Sequence, residues 1–458
     1  MNHIAVLDIG KTNVKLALVD LAARSEQAVI TRPNLVLAGP PYPHFDTEAI
    51  WEFLIDGLRG FHAHHGVDGI SVTTHGACAA LLMANGDLAA PVMDYEFGGP
   101  DSMRKAYDKI RPPFGETGSP ALPMGLNLGA QLFWQLQNDS TLADRTAFVV
   151  TWPQYWGFRL TGEFAADVTS LGCHTDLWNP HQRGFSSLPD RLGLGGKIAV
   201  PRKPGAILGQ VSAAVSVATG LPDSLPVLCG IHDSNASLLP HLIDRPAPFA
   251  VVSTGTWVIA MAVGNAVVRL DPARDTLINV NAHGDPVPSA RFMGGREYEL
   301  MRTTSQGMAT TTDADRVLAR DVMLLPAVVP ESGPFQGHHA RWAVPPGDAA
   351  EMEVALGYYL ALMTAECFSQ IEASGPSIIE GPFAANPWFI SMLAAVSGRA
   401  VIASTSRTGT AIGAALLFEP PTTGPVQRVA PEPSSLPDPR LLRHARLWQA
   451  LTARPLLH

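Results

Sequence analysis

The chain has 458 residues, of which 46% are hydrophobic and 16% are charged, and its formal net charge is −9 at pH 7. This composition is typical of a globular protein, and the acidic balance argues against nucleic acid as a partner, since phosphate-backbone binding needs a clustered basic surface. The length exceeds what one hydrophobic core usually supports, so we expect two domains that act on a small molecule.

The four cysteines lie far apart and form neither a CxxC pair nor the spacing of a disulfide framework. A strand pattern begins at His3 and leaves no room for an export signal. The uncharged run over residues 381–398 is interrupted by prolines, which favours a buried helix over a membrane span. We therefore expect a cytoplasmic protein in a reducing compartment, without a membrane partner.

The first element is an apolar strand pattern with Asp8 near its end, followed by a small polar turn. The turn consists of Gly10, Lys11, Thr12 and Asn13. Its first three residues imitate the end of a P-loop, but that motif needs a glycine where Ala5 stands and a helix afterwards. Strict alternation of apolar residues after the turn predicts a second strand instead, so a β-hairpin carries Asp8 at its tip.

Polar groups also follow two later apolar runs. They are Thr74, His75 and Gly76 after the first run, and Asp94, Tyr95 and Glu96 after the second. Such donors and acceptors suit a polyhydroxylated ligand held on a rigid frame. The alternative is that they are ordinary polar loop residues, and the residues alone favour that alternative.

An apolar run over residues 227–230 leads to His232 and Asp233, where a helix is predicted to begin. Ligands of open α/β sheets bind at the carboxyl ends of strands. Asp233 is therefore the first candidate for a catalytic group, with a helix-capping carboxylate as the alternative.

A second strand–turn–strand pattern covers residues 249–262, with Thr254, Gly255 and Thr256 in its turn. Backbone N–H groups of such a turn can face an anion. Either hairpin alone could be an ordinary one, but two of them around an acidic strand end indicate an internal repeat that binds one polyphosphate.

Helices are predicted over residues 46–64, with Asp46 as the cap, and over residues 152–160, 351–372, 386–397 and 409–415. Residues 377–380 predict a strand. Residues 419–439 are rich in Pro and Ser and predict a linker, and a short helix is expected after it.

Six motifs, in the same order and at similar spacing, resemble the FGGY carbohydrate kinases. They cover residues 8–13, 74–76, 161–163, 230–233, 253–256 and 409–415. The resemblance extends over about residues 4–418, on the rhamnulokinase and fuculokinase side of the family, within the sugar kinase/actin/Hsp70 superfamily. It implies an α/β fold of two actin-like, ribonuclease H-like domains facing a catalytic cleft. The implied division is a sugar-binding domain over residues 1–245, a nucleotide-binding domain over 246–420, and a Pro-rich tail with a short helix over 421–458.

The resemblance also implies roles for individual residues. Asp233 would be the general base, and Asp8 and Asp233 would lie at a Mg²⁺ ion. ATP would be bound by Gly10, Lys11, Thr12, Asn13, Thr254, Gly255, Thr256, Gly381 and Asn386. Sugar would be bound by Thr74, His75, Gly76, Asp94, Tyr95, Glu96 and His232. Two positions depart from the family: most of the glycine run before Asn386 is replaced, and Lys11 stands where small or hydroxyl residues are common. We expect the Lys11 charge near the phosphates.

The implied activity is ATP-dependent phosphorylation of a ketose hydroxyl, first of a 6-deoxyketose such as L-rhamnulose or L-fuculose. Xylulose, or another ketose or polyol, ranks second. An actin-like ATPase or nucleotide-dependent regulator is the alternative of a different class. A homodimer is left open.

Overall fold

The computed structural model describes residues 2–265, 268–302, 309–404, 409–419 and 438–453. The chain divides into two compact units. Unit 1 comprises Met1–Asp244, Ile278–Pro286 and Arg407–Pro425, and unit 2 comprises Arg245–Leu277, Val287–Ser406 and Val426–His458. The predicted nucleotide-binding domain over residues 246–420 therefore contributes two of its segments to unit 1.

Most strands are short, and the longest ones form the two large sheets. The strands are β1 (His3–Ile9), β2 (Asn13–Asp20), β3 (Ser25–Pro33), β4 (Val36–Leu37), β5 (His44–Phe45), β6 (Gly69–Thr74), β7 (Ala79–Leu82), β8 (Phe148–Thr151), β9 (Ala166–Asp167), β10 (Trp178–Asn179), β11 (Gly184–Phe185), β12 (Pro201–Arg202), β13 (Ile207–Gln210), β14 (Pro226–Leu228), β15 (Ile231–His232), β16 (Phe249–Thr254), β17 (Val258–Val263), β18 (Thr276–Val280), β19 (Pro286–Phe292), β20 (Met323–Leu325), β21 (Arg341–Val344), β22 (Ser377–Glu380) and β23 (Val401–Ala403).

The α-helices are α1 (Thr47–His65), α2 (Arg104–Tyr107), α3 (Phe114–Thr117), α4 (Leu128–Asn138), α5 (Leu142–Arg145), α6 (Trp152–Thr161), α7 (Val168–Leu171), α8 (Leu188–Arg191), α9 (Ala213–Thr219), α10 (Asp233–Asp244), α11 (Gly294–Met301), α12 (Thr311–Arg320), α13 (Ala349–Gln370), α14 (Pro387–Ser397), α15 (Thr410–Ala415) and α16 (Pro439–Thr452). Short 3₁₀ helices cover Gly99–Met103, Pro272–Arg274, Pro382–Ala385 and Leu416–Phe418. No helix of the described ranges has both the length and the apolar character needed to cross a bilayer.

Unit 1 is built on a seven-stranded sheet in the order β13-β14-β6-β1-β2-β3, with β15 also paired to β6. Strand β2 is antiparallel to both β1 and β3, whereas β6 is parallel to both β1 and β14. One face of β1 packs Leu7 against Leu54 and Leu58 of α1, and the other packs Val6 against Ala411 and Ala414 of α15. This two-sided burial explains why β1 is almost continuously apolar.

Unit 2 repeats this strand pattern. Its six-stranded sheet has the order β18-β19-β17-β16-β22-β23, in which β19, β17 and β16 are antiparallel and β16, β22 and β23 are parallel. The predicted hairpins are therefore confirmed as β1–β2 and β16–β17. The expectation of a repeat is supported by the matching order of strands around each hairpin.

Local sequence signals set several of the element ends as predicted. Asp46 caps α1 and its carboxylate accepts the N–H of Ala49 at 3.1 Å, and Gly162 ends α6 in the left-handed conformation with φ of 83°. The helices predicted over residues 351–372, 386–397 and 409–415 correspond to α13, α14 and α15. The short helix expected near the end of the chain is α16, whose Trp448 is buried. The predicted linker over residues 419–439 lies almost wholly outside the described residues.

The strand predicted to run as far as Gly230 is instead interrupted. Gly230 has φ of 92°, and a Cβ at this position would lie 2.8 Å from the carbonyl oxygen of Val72. Strand β14 therefore ends at Leu228, and pairing to β6 resumes in β15 at Ile231. The interruption shifts the register so that His232 lies beside Thr74.

Candidate active site

Asp233 is the first residue of α10 and follows β15 directly. Strand β15 runs parallel to β6, whose next residue is His75, so the sheet brings two separate motifs to one edge. The Oδ1 atom of Asp233 accepts the backbone N–H of Ser234 and lies 3.2 Å from Nε2 of His232. The Asp233 side chain keeps 32% of its surface exposed, so it is accessible to a ligand.

Burial raises the pKa of Asp233, while the nearby His75 and the N–H and hydroxyl groups of Ser234 oppose the rise. A carboxylate with a raised pKa and an accessible oxygen is suited to accept a proton. Burial also lowers the pKa of both His75 and His232 to about 4, so both rings are neutral at pH 7.

The two histidines each have one ring nitrogen without a partner among the described residues. Nδ1 of His75 donates to the carbonyl oxygen of Gly76 at 2.8 Å, which leaves Nε2 as a bare acceptor, buried and without a donor. Nδ1 of His232 is also buried without a partner. A Cβ at Gly76 would lie 2.8 Å from Nε2 of His232, so glycine at this position makes room for the His232 ring. Buried polar atoms rarely stay unpaired, which points to a ligand that supplies the missing groups.

Asp8 lies next to the first turn and is held by two neighbours. Oγ1 of Thr410 donates to its Oδ2 at 2.6 Å, and Nζ of Lys15, its cross-strand partner, lies 3.3 Å from the same oxygen. Burial raises the pKa of Asp8, Thr410 and Lys15 oppose the rise, and the charge of Asp233 adds to it. The Asp8 carboxylate therefore responds to the charge of Asp233.

The first turn is stabilised by a residue outside it. Asn34 donates from Nδ2 to the carbonyl oxygen of Gly10 at 2.7 Å, and its backbone N–H donates to the carbonyl oxygen of Thr12 at 2.8 Å. Thr12 and Asn13 stay exposed. Their hydroxyl and amide groups are therefore free to meet a ligand.

The Lys11 side chain forms a cluster with the second polar motif. Its ammonium group pairs with Asp94 and lies 3.3 Å from Oε2 of Glu96. The same nitrogen lies 5.3 Å from the ring centres of both Phe45 and Tyr95, within cation–π range. The Lys11 charge, predicted near the phosphates, is thus neutralised within the predicted sugar-binding residues.

An aromatic wall connects this cluster to His75. The rings of Phe45 and Tyr95 each have their centres 5.2 Å from that of His75, and the indole of Trp152 lies 6.4 Å from it. Burial raises the pKa of the Tyr95 phenol, and the surrounding Cys78 and acidic groups raise it further, so the phenol stays protonated. Thr74 has no free hydroxyl proton for a ligand, because its buried hydroxyl donates to the carbonyl oxygen of His75.

In unit 2 the second turn lines a cavity of about 750 Å³. Gly255, Thr256 and Asn386 all contribute to its lining, together with Arg296 and Tyr298 of α11. The turn and α11 approach closely, since a Cβ at Gly295 would lie 2.0 Å from the carbonyl oxygen of Gly255. Three of the residues predicted for ATP thus line one cavity of nucleotide size.

Thr254 and Gly381 connect the second turn to the segment over residues 380–383, next to this cavity. The hydroxyl of Thr254, which is only 4% exposed, donates to the carbonyl oxygen of Glu380 and accepts the N–H of Phe383 at 3.1 Å. Gly381 has φ of 82°, and a Cβ there would lie 1.9 Å from the carbonyl oxygen of Thr254. Asn386 caps α14, with its Oδ1 accepting two backbone N–H groups at 3.0 Å.

Comparison with known proteins adds to this geometry. Residues 3–240 match the N-terminal domain of the FGGY family of carbohydrate kinases, and residues 246–426 match the FGGY carbohydrate kinase C-terminal domain. The chain belongs to the FGGY family of carbohydrate kinases.

The FGGY chain is similar over almost its whole length to a carbohydrate kinase from Novosphingobium aromaticivorans of known structure. The two share 35% sequence identity with a TM-score of 0.88, and the match covers 98% of each chain. A xylulose kinase from Rhodospirillum rubrum shares the fold, with 20% identity, a TM-score of 0.76 and coverage of 98% of each chain. The predicted two-domain α/β fold of the family is confirmed.

Curated relatives are similar over a shorter stretch. An L-fuculokinase from Salmonella typhi is 29% identical over 269 residues, which are 56% of this chain and 56% of that protein. A probable L-xylulose kinase from Pasteurella multocida is 23% identical over 278 residues, 57% of this chain and 56% of that protein. The chain thus matches about half the length of these curated relatives.

Several residues around this candidate site were not predicted from the sequence. Lys15 could have been found, since strict alternation after the turn places it opposite Asp8 in the hairpin. Thr410 lay within a recognised motif, but nothing in the motif pointed to Asp8, which is 402 residues away. Phe45, Trp152 and Asn34 carried no signal that distinguished them from core or loop residues.

Proposed function

We propose that this protein transfers the γ-phosphoryl group of ATP to a hydroxyl group of a ketose, with Asp233 as the general base. The proposal rests on the groups that surround Asp233. Its accessible carboxylate, with a raised pKa, lies beside His75 and His232, each with a buried and unpaired ring nitrogen. A ligand rich in hydroxyl groups would satisfy these nitrogens, and one of its hydroxyl groups would give its proton to Asp233.

The sugar is proposed to bind in unit 1, among Thr74, His75, Gly76, Asp94, Tyr95, Glu96 and His232. Lys11 joins this group through its contacts with Asp94 and Glu96. The polar groups suit hydroxyl groups, and the rings of Phe45 and Tyr95 supply an apolar wall. A 6-deoxyketose such as L-fuculose or L-rhamnulose presents both hydroxyl groups and a methyl group, so it ranks first. The similarity to an L-fuculokinase supports this ranking.

The second-ranked substrate is xylulose or another ketose or polyol. The similarity to a probable L-xylulose kinase favours keeping this candidate. Xylulose lacks the terminal methyl group, so it would make less use of the aromatic wall. Relative kcat/KM for the two kinds of sugar therefore discriminates between the candidates.

The nucleotide is proposed to bind in the 750 Å³ cavity of unit 2. Thr256, Gly255 and Asn386 would contact it, with Thr254 and Gly381 holding the turn in shape. Thr12 and Asn13 of the first turn would contact the phosphates, because both are exposed, and Gly10 would hold the turn in shape through its hydrogen bonds with Asn13 and Asn34. The replaced glycine run before Asn386 leaves a cavity of ample volume for adenosine.

The donor set beside the first turn fits a Mg²⁺ ion. Mg²⁺ usually takes one or two carboxylates together with water and substrate phosphates, and Asp8 and Asp233 would supply two carboxylates, since the charge of Asp233 raises the pKa of Asp8. No larger cluster of His, Cys, Asp and Glu suited to a metal is found within the described ranges, so the phosphates would complete the coordination. When bound, Mg²⁺ would neutralise charge on the phosphates.

The chemical step then follows from the residues of this chain. The sugar hydroxyl gives its proton to the Asp233 carboxylate as its oxygen forms a bond to the γ-phosphorus of ATP. The bond between that phosphorus and the bridging oxygen breaks, and ADP leaves with the electron pair. His75 and His232 orient the sugar, and because burial lowers the pKa of both rings to about 4, both are weak proton acceptors.

The test is ADP release by the purified full-length chain with ATP and Mg²⁺, measured against a panel of ketoses and polyols. We expect release that depends on sugar and is fastest with a 6-deoxyketose. Release without any sugar, unchanged across the panel, would contradict the proposal and favour an actin-like ATPase. Mass spectrometry of the sugar product provides an independent check that phosphate has been transferred.

A further inference from the structure

Unit 1 contains a second cavity, of about 370 Å³, that shares no residue with the candidate active site. Its volume lies within the range of small-molecule sites. Trp178 and Phe185, which are cross-strand partners in β10 and β11, line it together with Val168 and Pro201. The two aromatic rings meet edge to face with their centres 5.9 Å apart, so the cavity has an apolar wall made of two nearly perpendicular rings.

This wall contains one unsatisfied hydrogen-bond donor. Trp178 is 5% exposed, and its Nε1–H is buried and meets no acceptor among the described residues. Indole can only donate, and buried donors nearly always find a partner. The missing partner would therefore be an acceptor on a ligand.

The charges at the cavity are mainly basic. Lys203 is exposed and forms no ion pair with any residue that the structure describes. Arg183 also lines the cavity and pairs with Asp285 at 2.7 Å, so that pair is close to neutral. Lys203 thus leaves one unopposed positive charge at an apolar cavity, which suits a single anionic group on an apolar ligand.

The cavity wall is connected to the sugar half of the site through α7. Val168 is the first residue of α7, and the next residue, Thr169, accepts the backbone N–H of His232 on its hydroxyl at 3.0 Å. His232 in turn lies 3.2 Å from Asp233. A ligand that shifts Val168 would therefore also shift Thr169, whose hydroxyl is hydrogen-bonded to His232 beside the candidate base Asp233.

We propose that this cavity binds a small organic anion with an aromatic body, and that its occupancy changes the affinity of the active site for sugar. The aromatic body would lie against Trp178 and Phe185, and the anionic group would meet Lys203 and the indole N–H. The effect on sugar affinity rests on the proposed function, whereas the binding itself does not.

The binding test is titration calorimetry of the full-length chain with 2-naphthoate, and with its neutral analogue 2-naphthamide. We expect naphthoate to bind and the amide to bind at least about tenfold more weakly, because a charge-assisted hydrogen bond is lost.

Lys203→Ala should weaken naphthoate binding by roughly tenfold, and Trp178→Phe, which keeps an aromatic ring, by roughly fivefold. Lys105→Ala, at another exposed lysine of unit 1, is the matched control and should change nothing. Equal affinity for the amide, no naphthoate binding at millimolar concentration, or binding that survives both substitutions would overturn the site.

The effector role is tested by sugar binding with and without saturating naphthoate. We expect the dissociation constant of the best ketose to change by at least about threefold, and not to change in Lys203→Ala. Naphthoate binding with an unchanged ketose dissociation constant would overturn the effector role. If no sugar binds at all, the proposed function fails while the calorimetric result for naphthoate still stands.

Discussion

The two hairpins, β1–β2 and β16–β17, occupy equivalent places in two sheets of the same strand pattern, yet they carry different chemistry. The penultimate residue of the first strand is Asp8 in one and Ser253 in the other. Across the hairpin, Asp8 faces Lys15, whereas Ser253 faces Ile259. The two hairpins therefore share the same strand arrangement, but the charged pair at these positions occurs only in the first hairpin.

This difference suggests a division of labour. Around the first turn, the two carboxylates and two neutral histidines can handle a proton and a cation. Around the second, a turn of small residues and the N-terminal part of α14 border a large cavity, in whose lining Glu353 accepts a hydrogen bond from the Tyr298 hydroxyl. The proton chemistry is therefore proposed for unit 1 and nucleotide binding for unit 2, and each part of that comparison can be tested.

The largest effect is expected from Asp233→Asn. The amide nearly preserves shape but cannot accept the sugar proton, so kcat should fall by roughly 10²–10⁴-fold with little change in nucleotide and sugar binding. Steady-state ADP release and calorimetric binding give the two readouts. Asp244→Asn at the other end of α10, an exposed partner of Arg24, is the matched control and should retain activity. Turnover of Asp233→Asn within tenfold of wild type would rule out its role as base.

The next effect tests whether the unpaired Nε2 of His75 meets the sugar. His75→Ala should lower kcat/KM for the best ketose by roughly ten- to a hundredfold, because a sugar hydroxyl would lose its buried acceptor. Nucleotide affinity should stay unchanged. His64→Ala, at the exposed end of α1, serves as the control. An unaltered kcat/KM would remove His75 and its neighbours from the sugar site.

Substitution of Lys11 tests whether this residue of the first turn contributes to sugar binding or to nucleotide binding. Lys11→Met keeps the length of the side chain but removes the partner of Asp94, which is only 7% exposed. We expect kcat/KM for the ketose to fall by about tenfold, with nucleotide affinity within twofold of wild type. A loss confined to nucleotide affinity would instead support the position near the phosphates that the sequence predicts. Lys105→Met is the control for removing a positive charge from unit 1.

Much of this frame could be predicted because it depends on local rules. Alternating apolar residues gave the hairpins, and Asp46 marked the start of α1 through its capping side chain. What could not be predicted depends on distant parts of the chain. The partner of Lys11 is 83 residues away and that of Asp8 is 402 residues away, and no periodicity reports such contacts. The interruption at Gly230 is likewise set by the Val72 carbonyl on a neighbouring strand.

Unit 2 also has a buried acid, Glu297, but its surroundings indicate a structural role. Its oxygens accept the N–H of Val329 at 3.0 Å and the hydroxyl of Tyr359 at 2.9 Å, and burial raises its pKa to about 7. The folded protein therefore keeps this proton at pH values where the unfolded chain has lost it. The free energy of unfolding should fall as pH rises from about 4.5 to 7, by about 2–3 kcal/mol from this group.

Glu297→Gln cannot titrate, so chemical denaturation at pH 5 and pH 7 should show a smaller decrease for this variant than for wild type. The difference corresponds to roughly a thirtyfold change in the unfolding constant. Identical pH dependence in the two proteins would show that Glu297 is ionised at both pH values. At pH 7 the sugar-dependent ADP release of Glu297→Gln should be similar to that of wild type. This result would show that Glu297, unlike Asp233, has no role in the reaction.

The smallest effect separates the two threonines of the second turn. Thr256 is exposed and lines the cavity, so Thr256→Val should raise the nucleotide dissociation constant by roughly three- to tenfold, the loss expected for one hydrogen bond, without lowering stability. Thr254 is buried, and its hydroxyl joins Glu380 to Phe383, so Thr254→Val should lower the free energy of unfolding by about 1–3 kcal/mol. Each variant is the control for the other, measured by nucleotide calorimetry and thermal unfolding. The reverse result, a stable Thr254→Val protein that has lost nucleotide affinity, would place the Thr254 hydroxyl at the phosphates and make the second turn chemically closer to the first.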